Sequence, residues 1–445
     1  MHSNRAVLAC LLALPLALAA VSQPAPQADP VAANALAIHK RIISLDSHVD
    51  IAGAQYATPA LDPGAPQTNL KCDLTKMEKG GLTGAFLAVF VGQGPLDDAG
   101  FRRAYDQAIV KFDALERLTR KMHPDRSAFA ASPADVLRIA GTGKRVIMTG
   151  VENGYAVGRD LENVRRFYGL GARYITITHS GNNQLADSSS AREPLHNGLS
   201  DLGRQVIAEM NRLGMMVDVS HISDKSFSDI LAVTRAPIIA SHSGCRALCN
   251  SNRNLTDEQL RALAKNGGVI QIVALASYLK AEDPARRDAI AKLRAELGLP
   301  SGGRGTGGGR GAAAAMTDAQ RAEDQKRMDQ YRERMAEIDA RYPPAALKDF
   351  IDHIDHAVRV AGIDHVGVGT DFDGGGGIPG FNDDTDAPNV TVELVRRGYS
   401  EAQIRKIWGE NLLRVWREVE QVAAGLKRPG SPPRNLPGPK AAASR

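Results

Sequence analysis

Eight short apolar runs, rich in β-branched residues and separated by longer amphipathic stretches, constrain this chain more than any other feature. They cover residues 42–45, 85–91, 146–151, 174–178, 216–219, 238–240, 269–273 and 366–368. Short apolar runs of this kind read as buried strands, and strands that alternate with helical patterns build a parallel sheet. Eight such units predict an α/β chain folded as a (β/α)8 TIM barrel. The length of 445 residues alone leaves open one large barrel or two to three ordinary domains. The pattern assigns residues 31–426 to one barrel domain.

Chemistry falls where that fold would gather it. His48, Asp50, Glu152, His179, His221, His242 and Asp371 all lie at or just beyond the C-terminal end of a predicted strand, where the loops of a barrel converge on one site. Imidazole and carboxylate together suit zinc and neighbouring metals, and five ligand-type groups (His48, Asp50, Glu152, His221, His242) exceed the needs of one closed tetrahedral site. A two-metal hydrolase is the natural reading. Alternate residues of a strand share a face, so His48 and Asp50 can serve one cation, with Asp46 pointing the same way behind them. Glu152 carries two oxygens and can bridge, while His221 and His242 supply neutral nitrogens to a second metal.

The rest of the chain sets the context. Residues 6–21 form an apolar run behind one basic side chain, Arg5, and end in small residues, so residues 1–20 read as a secretory signal. A periplasmic or secreted protein is expected, with no stable membrane span after cleavage. Of its four cysteines, Cys10 leaves with the signal, and Cys72, Cys245 and Cys249 allow at most one bridge within the chain. With 43% hydrophobic and 24% charged residues the chain can bury a sizeable core. The net charge of +5 comes without an aromatic-interleaved basic stripe, which argues against nucleic acid as a partner. A Gly-rich tract at 301–311 leads into a charged, helix-prone stretch, and together they read as an insertion at about 299–343 after the seventh strand, either a lid or a solvated arm. Residues 427–445, Pro-rich and basic, read as a disordered tail. His353 and His356 fall on a helix, His365 at the opposite face of the barrel, and His196 in a loop that could approach the mouth.

The segments that carry the ligands resemble the membrane (renal) dipeptidase family. These are residues 46–50 (Asp-Ser-His-Val-Asp), 150–154 (Gly-Val-Glu-Asn-Gly), 174–183, 218–221 (Asp-Val-Ser-His), 241–243 (Ser-His-Ser), Arg253-Asn254 and 369–374 (Gly-Thr-Asp-Phe-Asp-Gly). The resemblance runs in order from about residue 42 to 416. It implies an amidohydrolase-type barrel with two zinc ions, one held by His48, Asp50 and Glu152 and the other by Glu152, His221 and His242. It further implies a hydroxide or water between the metals as nucleophile. His179 would bind the substrate carbonyl, Arg253 would grip the C-terminal carboxylate of a dipeptide, and Asp371 would carry the proton from attacking water to leaving amine. Asp373 competes for that last role, in a loop that Gly374 to Gly377 should make mobile. The sequence departs from the pattern at Ile51-Ala52, Leu185 and Gly181, which leaves the shape of the substrate pocket open.

The expected function is therefore a secreted binuclear zinc dipeptidase acting on dipeptides, extending to C-terminal D-residues and to β-lactam rings. The alternatives are another two-metal hydrolysis, of a lactone or phosphoester, and a non-catalytic peptide-binding barrel. Relatives of this kind are commonly dimers, so a homodimer is an expectation for which no interface is legible.

Overall fold

The computed structural model describes residues 29–299 and 318–426. The proposed signal, the Gly-rich tract and the basic tail lie outside the described residues. Nine strands form one parallel sheet: β1 (Leu45–Asp50), β2 (Gly84–Phe90), β3 (Ser127–Phe129), β4 (Arg145–Glu152), β5 (Ala172–Thr176), β6 (Met216–Asp218), β7 (Ile238–Ser243), β8 (Val269–Ile272) and β9 (Val366–Val368). Eight of them run in the order β1-β2-β4-β5-β6-β7-β8-β9, and the short β3 pairs only with β4. The ring closes just beyond β9, where Asp371 N donates to His48 O at 3.0 Å and Asp50 N to Phe372 O at 2.8 Å. The result is the predicted (β/α)8 barrel with one extra edge strand.

The barrel's lower interior is filled by Leu45, Phe86, Val146, Met148, Tyr174, Met216, Ile239 and Val269, all buried. Against them packs the helix Asn411–Leu426 through Leu412, Val415, Trp416 and Val419, with the Trp416 and Phe86 rings 5.6 Å apart. This apolar plug occupies the end of the strands opposite the ligands, so polar groups gather at the other end. On β4 the period of two carries Val146, Met148 and Gly150 inward, and Glu152 follows them at the top.

Three expectations change. The first strand begins at Leu45, later than 42–45 suggested, because β1 is a polar segment whose Asp46, Ser47 and His48 are buried by the barrel. A register shift between Asp46 and Val49 breaks the strict alternation there. Asp46 consequently accepts from His48 N and from Thr370 N and Oγ1, tying β1 to the end of β9 by its carboxylate. The glycine loop expected to be mobile is a bonded turn: Gly374, Gly375 and Gly376 all donate N–H to Asp371 O, and Gly377 N donates to Ala274 O.

Between β8 and β9 stand the helices Pro284–Glu296 and Asp318–Arg341. They are tied to each other by Arg286–Asp339 at 2.8 Å and Arg334–Glu296 at 2.7 Å. Cys72, Cys245 and Cys249 are buried free thiols. No helix of the described residues is long and apolar enough to cross a membrane.

Candidate metal centre and substrate cavity

Glu152 is the hub. Its carboxylate is buried, and its two oxygens serve different partners: Oε2 lies 3.4 Å from His48 Nε2, while Oε1 lies 3.2 Å from His221 Nε2 and 3.6 Å from both His242 Nε2 and His179 Nε2. His221 and His242 bring their Nε2 atoms within 2.8 Å of each other. Two sets of donors therefore converge closely enough to hold an ion, His48 with Glu152 and His242, and Glu152 with His179 and His221. This grouping differs from the one the resemblance implies, since Asp50 falls outside both sets and His179 falls inside one.

The donor set fits cations. His48 Nε2 and Asp50 Oδ1 are buried without a hydrogen bond, which leaves strong donor atoms uncompensated unless they face a ligand. Burial and the neighbouring Glu152 charge push the Asp50 carboxyl up to about 6. Burial also lifts Asp371 well above the usual range, against the pull of His48 and with the push of Asp50 and Glu152. Burial lowers His48, but the Glu152 carboxylate outweighs it and holds the imidazole at about 10. Three carboxylates crowded in this way call for positive charge among them.

The imidazoles are aimed by partners that the sequence reading missed. His48 Nδ1 lies 3.0 Å from the Tyr174 hydroxyl, which in turn lies 3.3 Å from Ser47 O. A carbonyl only accepts, so the Tyr174 proton goes to Ser47 and its oxygen accepts from Nδ1–H, which turns Nε2 toward Glu152. The same logic repeats on β7. Ser241 Oγ donates to Asp218 Oδ2 at 2.6 Å and receives His242 Nδ1–H at 2.9 Å. Asp218 also accepts from Ser220 N, Ser241 N and Thr176 Oγ1, so the acid is fixed inside the barrel. Tyr174 has space only because residue 150 is glycine: a Cβ there would lie 2.3 Å from the phenol ring.

His221 sits at φ 71°, a left-handed conformation unusual for a residue with a side chain. Its carbonyl accepts from Ser189 N, Thr178 Oγ1 and Ser188 Oγ, three bonds that hold the peptide in place. Asp371 is also left-handed, at φ 59°. Such strain costs about 1–3 kcal/mol per residue and persists where the surroundings fix it.

The remaining expected residues line one cavity of about 2870 Å³ with the cluster. Arg253, which a polar stretch of sequence could have left in solvent, is buried, donates from Nη2 to His242 O at 3.1 Å and lies over the Tyr278 ring at 5.2 Å. His179 keeps 23% of its side chain exposed and meets Ser180 Oγ through Nδ1, so it is the cluster imidazole most open to a ligand. Asp371 borders Asp50: a Cβ on Gly374 would meet both carboxylates. Asp373 also lines the cavity, but its two carboxylate oxygens accept from Lys71 N and Cys72 N. Lys111, which sequence reasoning passed over, enters the same cavity beside the Phe90 ring.

The other histidines do structural work. His353 bonds Cys245 N and Leu279 O, His356 pairs with Asp257, and His365 bonds Gly268 O below the barrel. His196 does not reach the cavity; its Nε2 lies 2.8 Å from Asn183 O.

Comparison with known proteins points to one family. The family model described as Membrane dipeptidase (Peptidase family M19) matches residues 32–430. Dipeptidase tcpJ of Claviceps purpurea (strain 20.1) is 31% identical over 360 residues, covering 80% of this chain and 71% of that protein. The crystal structure of the probable dipeptidase PvdM from Pseudomonas aeruginosa is 34% identical with a TM-score of 0.74, covering 88% of this chain and 99% of that one. A metallopeptidase from Rhodobacter sphaeroides, liganded with a phosphinate mimic of L-Ala-D-Ala, shares the fold at 24% identity and a TM-score of 0.63, over 85% of this chain and 99% of that one.

Proposed function

The chain belongs to the membrane dipeptidase family and is a metallo-dipeptidase, and on that premise we propose a binuclear zinc enzyme that splits dipeptides outside the cytoplasm. The observation that carries the two-metal reading is Glu152, whose oxygens divide between His48 on one side and His221 and His242 on the other. His48, Asp50 and Glu152 would hold one ion and Glu152, His221 and His242 the second. Ions bound there polarise an amide carbonyl and bring the pKa of water toward neutrality.

The chain's own residues do the rest. Arg253, fixed by the His242 carbonyl and the Tyr278 face, presents its remaining N–H groups to a free carboxylate, which limits substrates to those ending one residue beyond the scissile bond. His179, partly open to the cavity, donates to the carbonyl oxygen as charge develops on it; one such donor is worth roughly 3 kcal/mol. Asp371, at the edge of the carboxylate cluster, takes the proton of the attacking water and passes it to the leaving amine. Nothing in this set reads the configuration of the C-terminal Cα, which supports turnover of D-residues there and, by the same carbonyl chemistry, of β-lactam rings. The apolar run at 6–21 supports secretion.

Metal content measured with activity on L,L- and L,D-dipeptides tests the reading, alongside Glu152→Gln. Two ions per chain and robust turnover are expected, with both lost in the variant; normal activity in Glu152→Gln would sink it. Arg253→Ala separates a dipeptidase from a lactone or phosphoester hydrolase, since it should weaken dipeptide turnover and leave a neutral ester unaffected.

A further inference from the structure

A dipeptide leaves most of this cavity unfilled. Sites for small molecules span about 300–1,000 Å³, whereas this cleft, open on one side, offers about 2870 Å³. The excess lies under the helices Pro284–Glu296 and Asp318–Arg341, which wall the cavity with residues such as Ile290, Tyr331 and Met335. Their charges do not balance. Arg286 already holds both Glu282 at 2.7 Å and Asp339 at 2.8 Å, and Asp283 caps the first helix by accepting from Ala285 N. Lys280, Arg287 and Arg341 also face this space and have no carboxylate partner among the described residues; Lys280 reaches only the Pro343 carbonyl, and Arg341 stacks on Tyr342.

We propose that this helical wall is a specificity element, and that Lys280, Arg287 and Arg341 select dipeptides whose C-terminal residue carries an anionic side chain. The proposal rests on the dipeptidase reading. It follows from the position of Arg253: a terminal carboxylate held there places its own residue against Tyr278, and Tyr278 belongs to the short helix Ala276–Leu279 that leads directly through Lys280 into the wall. A side chain leaving that Cα enters the basic half of the cavity. Unpaired cations in a partly enclosed cleft raise the local concentration of anions and bind them best when the anion can reach them, so a long anionic side chain gains more than a short one.

The test uses the metal-loaded full chain and two matched pairs of substrates, Ala-Gln with Ala-Glu and Ala-Tyr with Ala-phosphotyrosine. The expected result is a kcat/KM that favours the anionic member, by roughly 3- to 10-fold for the phosphotyrosine pair, carried mainly by KM and shrinking in 0.5 M salt. Lys280→Ala/Arg287→Ala/Arg341→Ala removes three exposed side chains, keeps turnover of Ala-Gln and Ala-Tyr, and abolishes the preference. Equal or better turnover of the neutral members, or a preference that survives in the triple variant, overturns the proposal. Failure to cleave any of the four would instead fall on the dipeptidase reading.

Discussion

Replacing Tyr174 by phenylalanine keeps the ring that fills the barrel and removes only the hydroxyl that holds His48 Nδ1. The expected outcome is metal affinity weakened about 10- to 100-fold with the fold retained, read by titration of the apo protein with zinc. Unchanged affinity would show that His48 needs no such partner. Gly150→Ala attacks the same unit from the other side, because the new methyl would meet the Tyr174 ring at 2.3 Å. A loss of about 2–4 kcal/mol in denaturant unfolding is expected, as for an overpacked core site. The ligand types were legible because histidine and carboxylate at the ends of apolar runs are rarely there for packing. Their orienting partners were not. Tyr174 reads as one more buried aromatic, and Asp218 and Ser241 as strand polars, until the barrel sets them beside an imidazole. Glu152's neighbours were also only half visible: spacing along the chain says nothing of which imidazole faces which oxygen, and His179 proved to share the hub.

The helices that buttress the barrel were legible in number more than in attachment. Helix Asp201–Leu213 follows β5 and carries Glu209, whose carboxylate is held by Arg212 within the helix and by Arg165 from the helix Glu162–Gly169. The bond to Arg212 leads in pulling Glu209 from its ordinary 4.5 down to about 2, with Arg165 adding to it against the cost of burial. A depressed carboxylate stabilises the fold above its unfolded pKa, and that stabilisation disappears as pH falls from about 4.5 toward 2. The shift sets a ceiling of about 3 kcal/mol, and solvent at the half-exposed arginines reduces it to about 1–2. Glu209→Gln should therefore lose that amount in unfolding free energy at pH 7, with the gap to the parent closing below pH 4.5; a gap constant with pH would disprove the pairing. Alternation of apolar runs found the eight barrel strands, yet it placed β1 too early, since a strand made of Asp, Ser and His shows no apolar signature. The three-residue β3 escaped for the same reason, being too short to show any pattern.

For the molecule as a whole, core and site occupy opposite ends of one barrel, so the metals should matter more to activity than to architecture. Chelation is expected to abolish turnover and to lower the thermal midpoint through loss of as much as about 4 kcal/mol of linked binding at a thousandfold excess over Kd, while far-UV circular dichroism at 25 °C stays the same. Loss of that signal on chelation would mean that the ions organise the fold. The closure of the ring carries a different consequence. Asp371 and Phe372 zip onto His48 and Asp50 by their backbones, so the last strand to leave the ribosome completes both the sheet and the constellation begun by the first. A chain interrupted before Gly369 carries His48, Glu152, His179, His221 and His242 but lacks both the seam and Asp371. The seam bonds of His48 and Asp50 thus form only once Asp371 and Phe372 have been made, late in the chain.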